Sequence, residues 1–320
     1  MERPRIRERY RHPLDHVNAC KTDKNISGAI AKYYRSNKKD MVYTLLTLSF
    51  DTEALIPFHT EIFDPAQQTT LLLVIIMEYN TRRTRGEHDL DFTIKVVTAL
   101  LEKGANVNIQ RENGRTPLSY AITAKSVELM THLMSVPNCD VNLQDNRKDT
   151  PLHYAVDFQF IPGIRLVAHD PRCNINLQNR RDKTPLMEAT RLCILEAQTI
   201  LLESGGLHLC DYSGQTPLHI AVSDISLETV QLLLKHGASL EIRDRAGKTP
   251  IDLLSDVFTR IRTFDPTSLD FMQKRLMQIV SVIETEAERR ALRALFPIKR
   301  HIKQSENRLC SVLCLLDDTL

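Results

Sequence analysis

The 320-residue chain has no tryptophan, and aromatic residues make up only 6% of it. A core built on large rings is therefore not expected; thin helical layers packed by Leu, Ile, Val and Ala suit this composition. No apolar run approaches the roughly 18 residues that cross a bilayer. The longest block, Leu71 to Met77, stops far short, and the first residues lack the hydrophobic stretch of a signal peptide. No membrane association is expected. Only ten glycines are present, and no phosphate-cradling loop can be built from them. Gly-x-Ser-x-Gly, His-Glu-x-x-His and paired-carboxylate motifs are missing too. The sequence offers no catalytic residues, cofactor site or metal site, so an enzyme is not expected.

Charge of one sign is also missing. Basic residues number 42 and acidic ones 40, a net charge of +2 that makes nucleic acid an unfavoured partner. The first eleven residues are the exception, with Arg3, Arg5, Arg7, Arg9 and Arg11 against Glu2 and Glu8. They read as a flexible basic arm, assigned to residues 1–24. The seven cysteines are odd in number and widely spaced, which points to free thiols in the cytosol or nucleus. Cys310 with Cys314, and His208 with Cys210, are too few for a zinc site.

What the chain does have is a rhythm. Thr-Pro-Leu recurs from Thr116, Thr150, Thr184 and Thr216, and Thr-Pro-Ile follows from Thr249; the threonines are 34, 34, 32 and 33 residues apart. Each triplet has a mechanical meaning. Thr caps a helix with its hydroxyl, Pro at the next position has no N–H to leave unpaired, and Leu points into the layer beneath. Polar runs such as Glu112 to Arg115 and Tyr212 to Gln215 read as tight turns before each triplet. Two short helices follow, as in Pro217 to Val222 and Leu227 to His236, the second ended by Gly237.

The stretch from Asp211 to Ala221, continued by Leu232 to Ala238, resembles a near-consensus ankyrin repeat, and residues 110–254 resemble that family throughout. The resemblance implies an all-α fold: an ankyrin-repeat solenoid of stacked helix-turn-helix units with projecting β-hairpin loops. Core repeats are assigned to residues 110–257. A divergent repeat at 64–109 carries about 13 extra residues, expected as a polar loop from Thr81 to Asp89. A degenerate capping repeat (25–63) precedes it, with helices at Ile26 to Tyr34 and Asp40 to Leu48. A C-terminal capping helix region (258–298) and a tail (299–320) follow.

The resemblance also implies a non-catalytic scaffold, a monomer that binds a protein partner through the concave groove of hairpin tips and first helices. The groove positions that stand out are Arg147 and Phe158, then Arg180, Arg181, Lys183 and Arg191, then Tyr212. Basic residues beside exposed rings fit an acidic segment with an apolar anchor. The alternative is an adaptor or substrate receptor, for example of a ubiquitin ligase; the tail lacks the Leu-Pro ending of the suppressor-of-cytokine-signalling box. His153 and His219 are expected to be structural, because Ser119, Met187 and Asp252 take the same slot. Lys148 and Asp182 fall where the turn favours Gly, at a cost of about 1 kcal/mol each. Asn108, eight residues after Leu100, is the candidate for the asparagine hydroxylation found in related arrays. Cys139 and Cys173 are equivalent positions about 10 Å apart, too far for a relaxed disulfide. Phe158 to Gly163 is expected to interrupt the usual Gly-His turn between helices, either as a local distortion or as a partner-facing feature.

Overall fold

A computed structural model describes residues 26–37, 39–46, 56–57, 68–69, 71–85, 89–203, 205, 207, 209–261 and 266–289. The basic arm, the tail with Cys310 and Cys314, and His208 lie outside the described residues. The chain divides into two compact units, Met1–Asn174 and Ile175–Leu320.

Unit 1 contains α1 (Ile26–Arg35), α2 (Lys39–Leu46), β1 (Ile56–Pro57), β2 (Gln68–Thr69), α3 (Leu71–Thr84) and α4 (Leu90–Glu102). It continues with α5 (Pro117–Thr123), α6 (Val127–Met134), α7 (Pro151–Asp157) and α8 (Ile161–Ala168). The helices pair in sequence. First helices α1, α3, α5 and α7 pack in series, as do second helices α2, α4, α6 and α8. Unit 2 repeats the plan with α9 (Pro185–Arg191), α10 (Leu195–Glu203), α11 (Pro217–Ser223), α12 (Leu227–Lys235), α13 (Asp252–Ile261) and α14 (Pro266–Arg289). Within it α9, α11 and α13 pack in series, and so do α10, α12 and α14.

The threonines set where these helices begin. Each repeated Thr hydroxyl accepts from the amide three residues on, as in Ser119 N to Thr116 Oγ1 (3.2 Å) and Asp252 N to Thr249 Oγ1 (3.2 Å). The following leucines, Leu118, Leu152, Leu186 and Leu218, are buried, and so is every capping Thr. At the far end of α4 and α12 the chain turns through Gly104 (φ 89°) and Gly237 (φ 92°). Ala105 N then reaches back to Leu100 O and Ala238 N to Leu233 O, both 3.0 Å. These close carbonyls the helix leaves open.

Two expectations need correction. The chain from Phe158 to Gly163 does not interrupt the turn between helices. Gln159 N bonds Val156 O and Phe160 N bonds Ala155 O, the pattern that Cys193 and Ile194 repeat with Thr190 O and Ala189 O. Lys125, Gln159, Cys193 and Ile225 all have positive φ (47° to 55°) at this one position. The sequence misleads because Phe160 replaces a polar cap; its ring folds over the following helix, where a Cβ on Gly163 would lie 2.4 Å from it.

The second correction concerns the insertion. Residues 81–84, expected in a polar loop, are helical: α3 has 14 residues against 7 in α5, α7, α9 and α11. Its added turns reach neighbours in unit 1. Asn80 donates to Thr123 Oγ1 (3.3 Å), Arg82 to Tyr34 O (3.4 Å) and Arg83 to Ala124 O. The projecting loops are also built from turns; among the described residues the only strand pairing is antiparallel β1–β2.

Candidate functional site

Five equivalent loop tips precede the capping threonines, at residues 111–115, 145–149, 179–183, 211–215 and 244–248. Each is closed by one backbone bond from its first to its fifth residue, for example Asp145 N to Asp149 O and Asn179 N to Lys183 O, both 3.0 Å. In four of them the first side chain holds the loop from inside. Asp145, Asn179, Asp211 and Asp244 each accept from the amides two and four residues on, at 2.7–3.2 Å. This is the Asx turn, which fixes a loop without strand pairing. Arg111 cannot accept, and there Asn113 Oδ1 takes the Arg115 amide instead (3.0 Å). The left-handed fourth position is confirmed at Lys148 (φ 59°) and Asp182 (φ 54°).

Neighbouring tips are tied to one another. In unit 1 Asn146 N bonds Asn113 O (3.0 Å). In unit 2 Tyr212 N bonds Arg181 O (3.2 Å) and Arg245 N bonds Ser213 O (2.9 Å). Gln110 Nε2 reaches Gln144 O (2.9 Å), and Gln178 Nε2 reaches Cys210 O (2.8 Å). Asn108 belongs to the same lacing: Nδ2 donates to Asn138 O (2.6 Å) and Oδ1 accepts from Asp140 N (2.8 Å). Asn142 does the same with Arg172 O and Asn174 N, both 2.7 Å.

The seven groove residues fall in two groups. Arg147 and Phe158 belong to unit 1. Arg147 is exposed but paired, with Asp149 at 3.0 Å and Asp145 at 3.9 Å. Behind it Tyr154, 1% exposed, donates to Asp145 Oδ2 (2.5 Å) and accepts from Arg115 Nε (2.7 Å). Burial, and then the bond to Asp145, push the Tyr154 hydroxyl up to about 12. Phe158 is a half-exposed ring at the end of α7.

The other five belong to unit 2. Glu188, buried on α9, takes Arg191 Nε at 2.7 Å and Lys183 Nζ at 3.9 Å. Those two cations are thus held inward by a carboxylate. Arg180 and Arg181 are exposed and have no carboxylate within ion-pair distance among the described residues. Tyr212 is 63% exposed, and the Arg245 guanidinium lies 4.5 Å from its ring centroid. Sequence reading missed Tyr154, Glu188 and Arg245. Arg245 was open to register alone, since it takes the tip position of Arg180 and Tyr212.

The histidines are structural. His153 and His219 are 1% and 0% exposed. His219 Nδ1 accepts from Thr216 N (3.1 Å), which puts the proton on Nε2, and Nε2 donates to Lys248 O (3.1 Å). Burial holds His219 below the usual histidine range, with the Lys248 carbonyl opposing it. Met187 Sδ fills the slot at 3.5 Å from Thr184 N, and Asp252 Oδ2 at 2.9 Å from Thr249 N. The described cysteines Cys139, Cys173, Cys193 and Cys210 form no disulfide with one another. Burial pushes the Cys139 and Cys173 thiols up to about 11, away from thiolate chemistry. No group of His, Cys, Asp and Glu suited to a metal occurs among the described residues.

Residues 91–179 and 163–244 match the family model described as ankyrin repeats in three copies. An ankyrin repeat protein of Acanthamoeba polyphaga mimivirus is 35% identical over 66 residues, 20% of this chain and 4% of that protein. The matched stretch is thus a small part of that relative's length. The crystal structure of the ankyrin repeat domain of Bcl-3, a unique member of the IkappaB protein family, is similar with a TM-score of 0.58. It is 20% identical, over 70% of this chain and 92% of that one. EF0377, an ankyrin repeat protein, is similar with a TM-score of 0.52 and 21% identity, over 66% of this chain and 97% of that one. At these identities the likeness is one of fold.

Proposed function

We propose that this chain, whose residues 91–244 belong to the ankyrin-repeat family, is a non-catalytic scaffold that binds another protein. The observation that carries the reading is a division of labour within the repeat. Capping Thr and core Leu recur unit after unit, while the side chains that face outward at tips and first helices differ each time. A frame that repeats beneath a surface that does not is how a repeat array presents one partner-specific face. Each unit carries its own outward-facing candidates: Arg147 and Phe158 in unit 1, and Arg180, Arg181, Lys183, Arg191 and Tyr212 in unit 2. Described cysteines without disulfides support a reducing compartment, cytosol or nucleus, and we take the chain to act as a monomer. Affinity purification of the full chain with mass spectrometry tests the reading. Proteins recovered by wild type should be lost with Phe158→Ala, Arg191→Glu and Tyr212→Ala combined, and undiminished recovery by the folded variant would refute it.

A further inference from the structure

The cations of unit 2 sort into two sets. Lys183 and Arg191 are turned to Glu188, and Lys248 is paired with Asp256. Arg180, Arg181 and Arg245 have no carboxylate within ion-pair distance among the described residues, and all three are exposed at loop tips. The tip from Asn179 to Lys183 carries three positive charges against Asp182, a net of +2. Between the two arginine tips stands the exposed Tyr212, its ring already against the Arg245 guanidinium. Backbone bonds lace the three tips together, so the row is pre-ordered.

The spacing of the row is what selects a ligand. Successive tips follow the packing of successive helices, about 10 Å apart. A β-strand advances about 3.3 Å per residue but alternates faces, so residues three apart point in opposite directions. A polyproline II helix has three residues per turn and rises about 3.1 Å per residue, so every third side chain returns to one face about 9 Å on. Its period matches the tips. Proline rings also lie flat on exposed aromatic rings, the role open to Tyr212.

We propose that the tip row of Arg180, Arg181, Tyr212 and Arg245 docks an acidic, proline-rich segment of another protein in the polyproline II conformation. Carboxylates at positions i and i+6 meet the arginine tips, and a proline at i+3 lies on Tyr212. The proposal rests on the protein-binding reading and adds to it the class of ligand and the residues that read it; Lys183 and Arg191 leave the contact set and Arg245 enters.

The probe is a fluorescein-labelled peptide, Glu-Pro-Pro-Pro-Pro-Pro-Glu, titrated against the full chain by anisotropy at low salt. Saturable binding is expected. It should weaken about tenfold or more in the Arg180→Glu, Arg181→Glu, Arg245→Glu variant, whose changes are all on exposed side chains, and severalfold in Tyr212→Ala. Peptides with Gln for both Glu, or with one proline removed, should weaken about tenfold because charge or period is lost. Absence of saturable binding, equal binding of all three peptides, equal binding by the triple variant, or preference for a single-stranded oligonucleotide would each overturn the proposal. Recovery of the same cellular proteins by wild type and triple variant would overturn it while leaving the scaffold reading intact.

Discussion

The repeat beginning at Asp145, in unit 1, and the repeat beginning at Asn179, in unit 2, share one frame and treat their polar groups in opposite ways. In the first, the tip has two carboxylates, Asp145 and Asp149, and a buried Tyr154 beneath it; Arg147 and Arg115 both find partners there. In the second, Asn179 and Lys183 take the places of those acids. Glu188 takes the place of Tyr154 and turns to Lys183 and Arg191, leaving Arg180 and Arg181 without an acid. The core shows the same contrast. Val156 and Ile164 become Thr190 and Gln198, both 0% exposed, and Thr190 Oγ1 and Gln198 Oε1 have no hydrogen-bond partner. The first repeat leaves no buried side-chain oxygen or nitrogen without a partner among the described residues. The other departs from the frame at tip, cap and core together, and such clustered departures mark where stability has been given up for something else.

The largest expected effect comes from opening the satisfied tip. Tyr154→Phe removes the hydroxyl between Arg115 and Asp145, leaving a buried carboxylate oxygen short of its donor. A loss of about 2 kcal/mol in urea unfolding is expected. Tyr120→Phe, at the equivalent position, is the control: among the described residues its hydroxyl meets only Asn113 Nδ2 at 3.3 Å, so its loss should cost less than about 0.5 kcal/mol. Equal costs for the two would break the contrast.

Closing the open core should act in the reverse direction. Thr190→Val with Gln198→Ile restores the residues of the satisfied repeat and removes two unpaired buried oxygens. It also gives up the Gln198 Nε2 bond to Ala189 O (3.1 Å). The balance is an expected gain of about 1–2 kcal/mol, read from the same unfolding curves. A loss would show that these oxygens are satisfied within the fold.

Much of this was legible in the sequence, and the pattern of what was not is physical. The Thr-Pro-Leu rhythm placed the starts of α5, α7, α9 and α11 to the residue, because the cap, the proline and the buried leucine are local requirements. The long α3 was not read because its polar residues resemble a loop; no glycine or proline precedes Gly86 to stop a helix, and contacts with Thr123 and Ala124 hold the added turns. The groove cations were found by register, but their availability was not. Whether Arg147 or Arg191 is spoken for depends on how Asp149 and Glu188 are turned, which sequence spacing does not convey.

The smallest effect expected concerns the capping slot, where the contrast extends to His153 and Met187 and to His219 one repeat on. His219 is neutral in the fold, since Nδ1 accepts an amide and Nε2 donates to Lys248 O. Its pKa is lowered by burial, so its contribution is complete above the unfolded value of about 6.5 and is lost as pH falls below that. Methionine, which does not titrate, fills the slot at Met187 through a weaker sulfur contact. His219→Met should therefore cost about 0.5–1 kcal/mol near pH 8, where the histidine bonds are intact. The variant should then lose less than wild type on acidification, so that the gap between their unfolding midpoints narrows from about pH 7 to about pH 5. A gap that stays constant over that range would mean that protonating His219 costs the fold nothing, and the slot would then be read as packing rather than as a hydrogen-bonded cap.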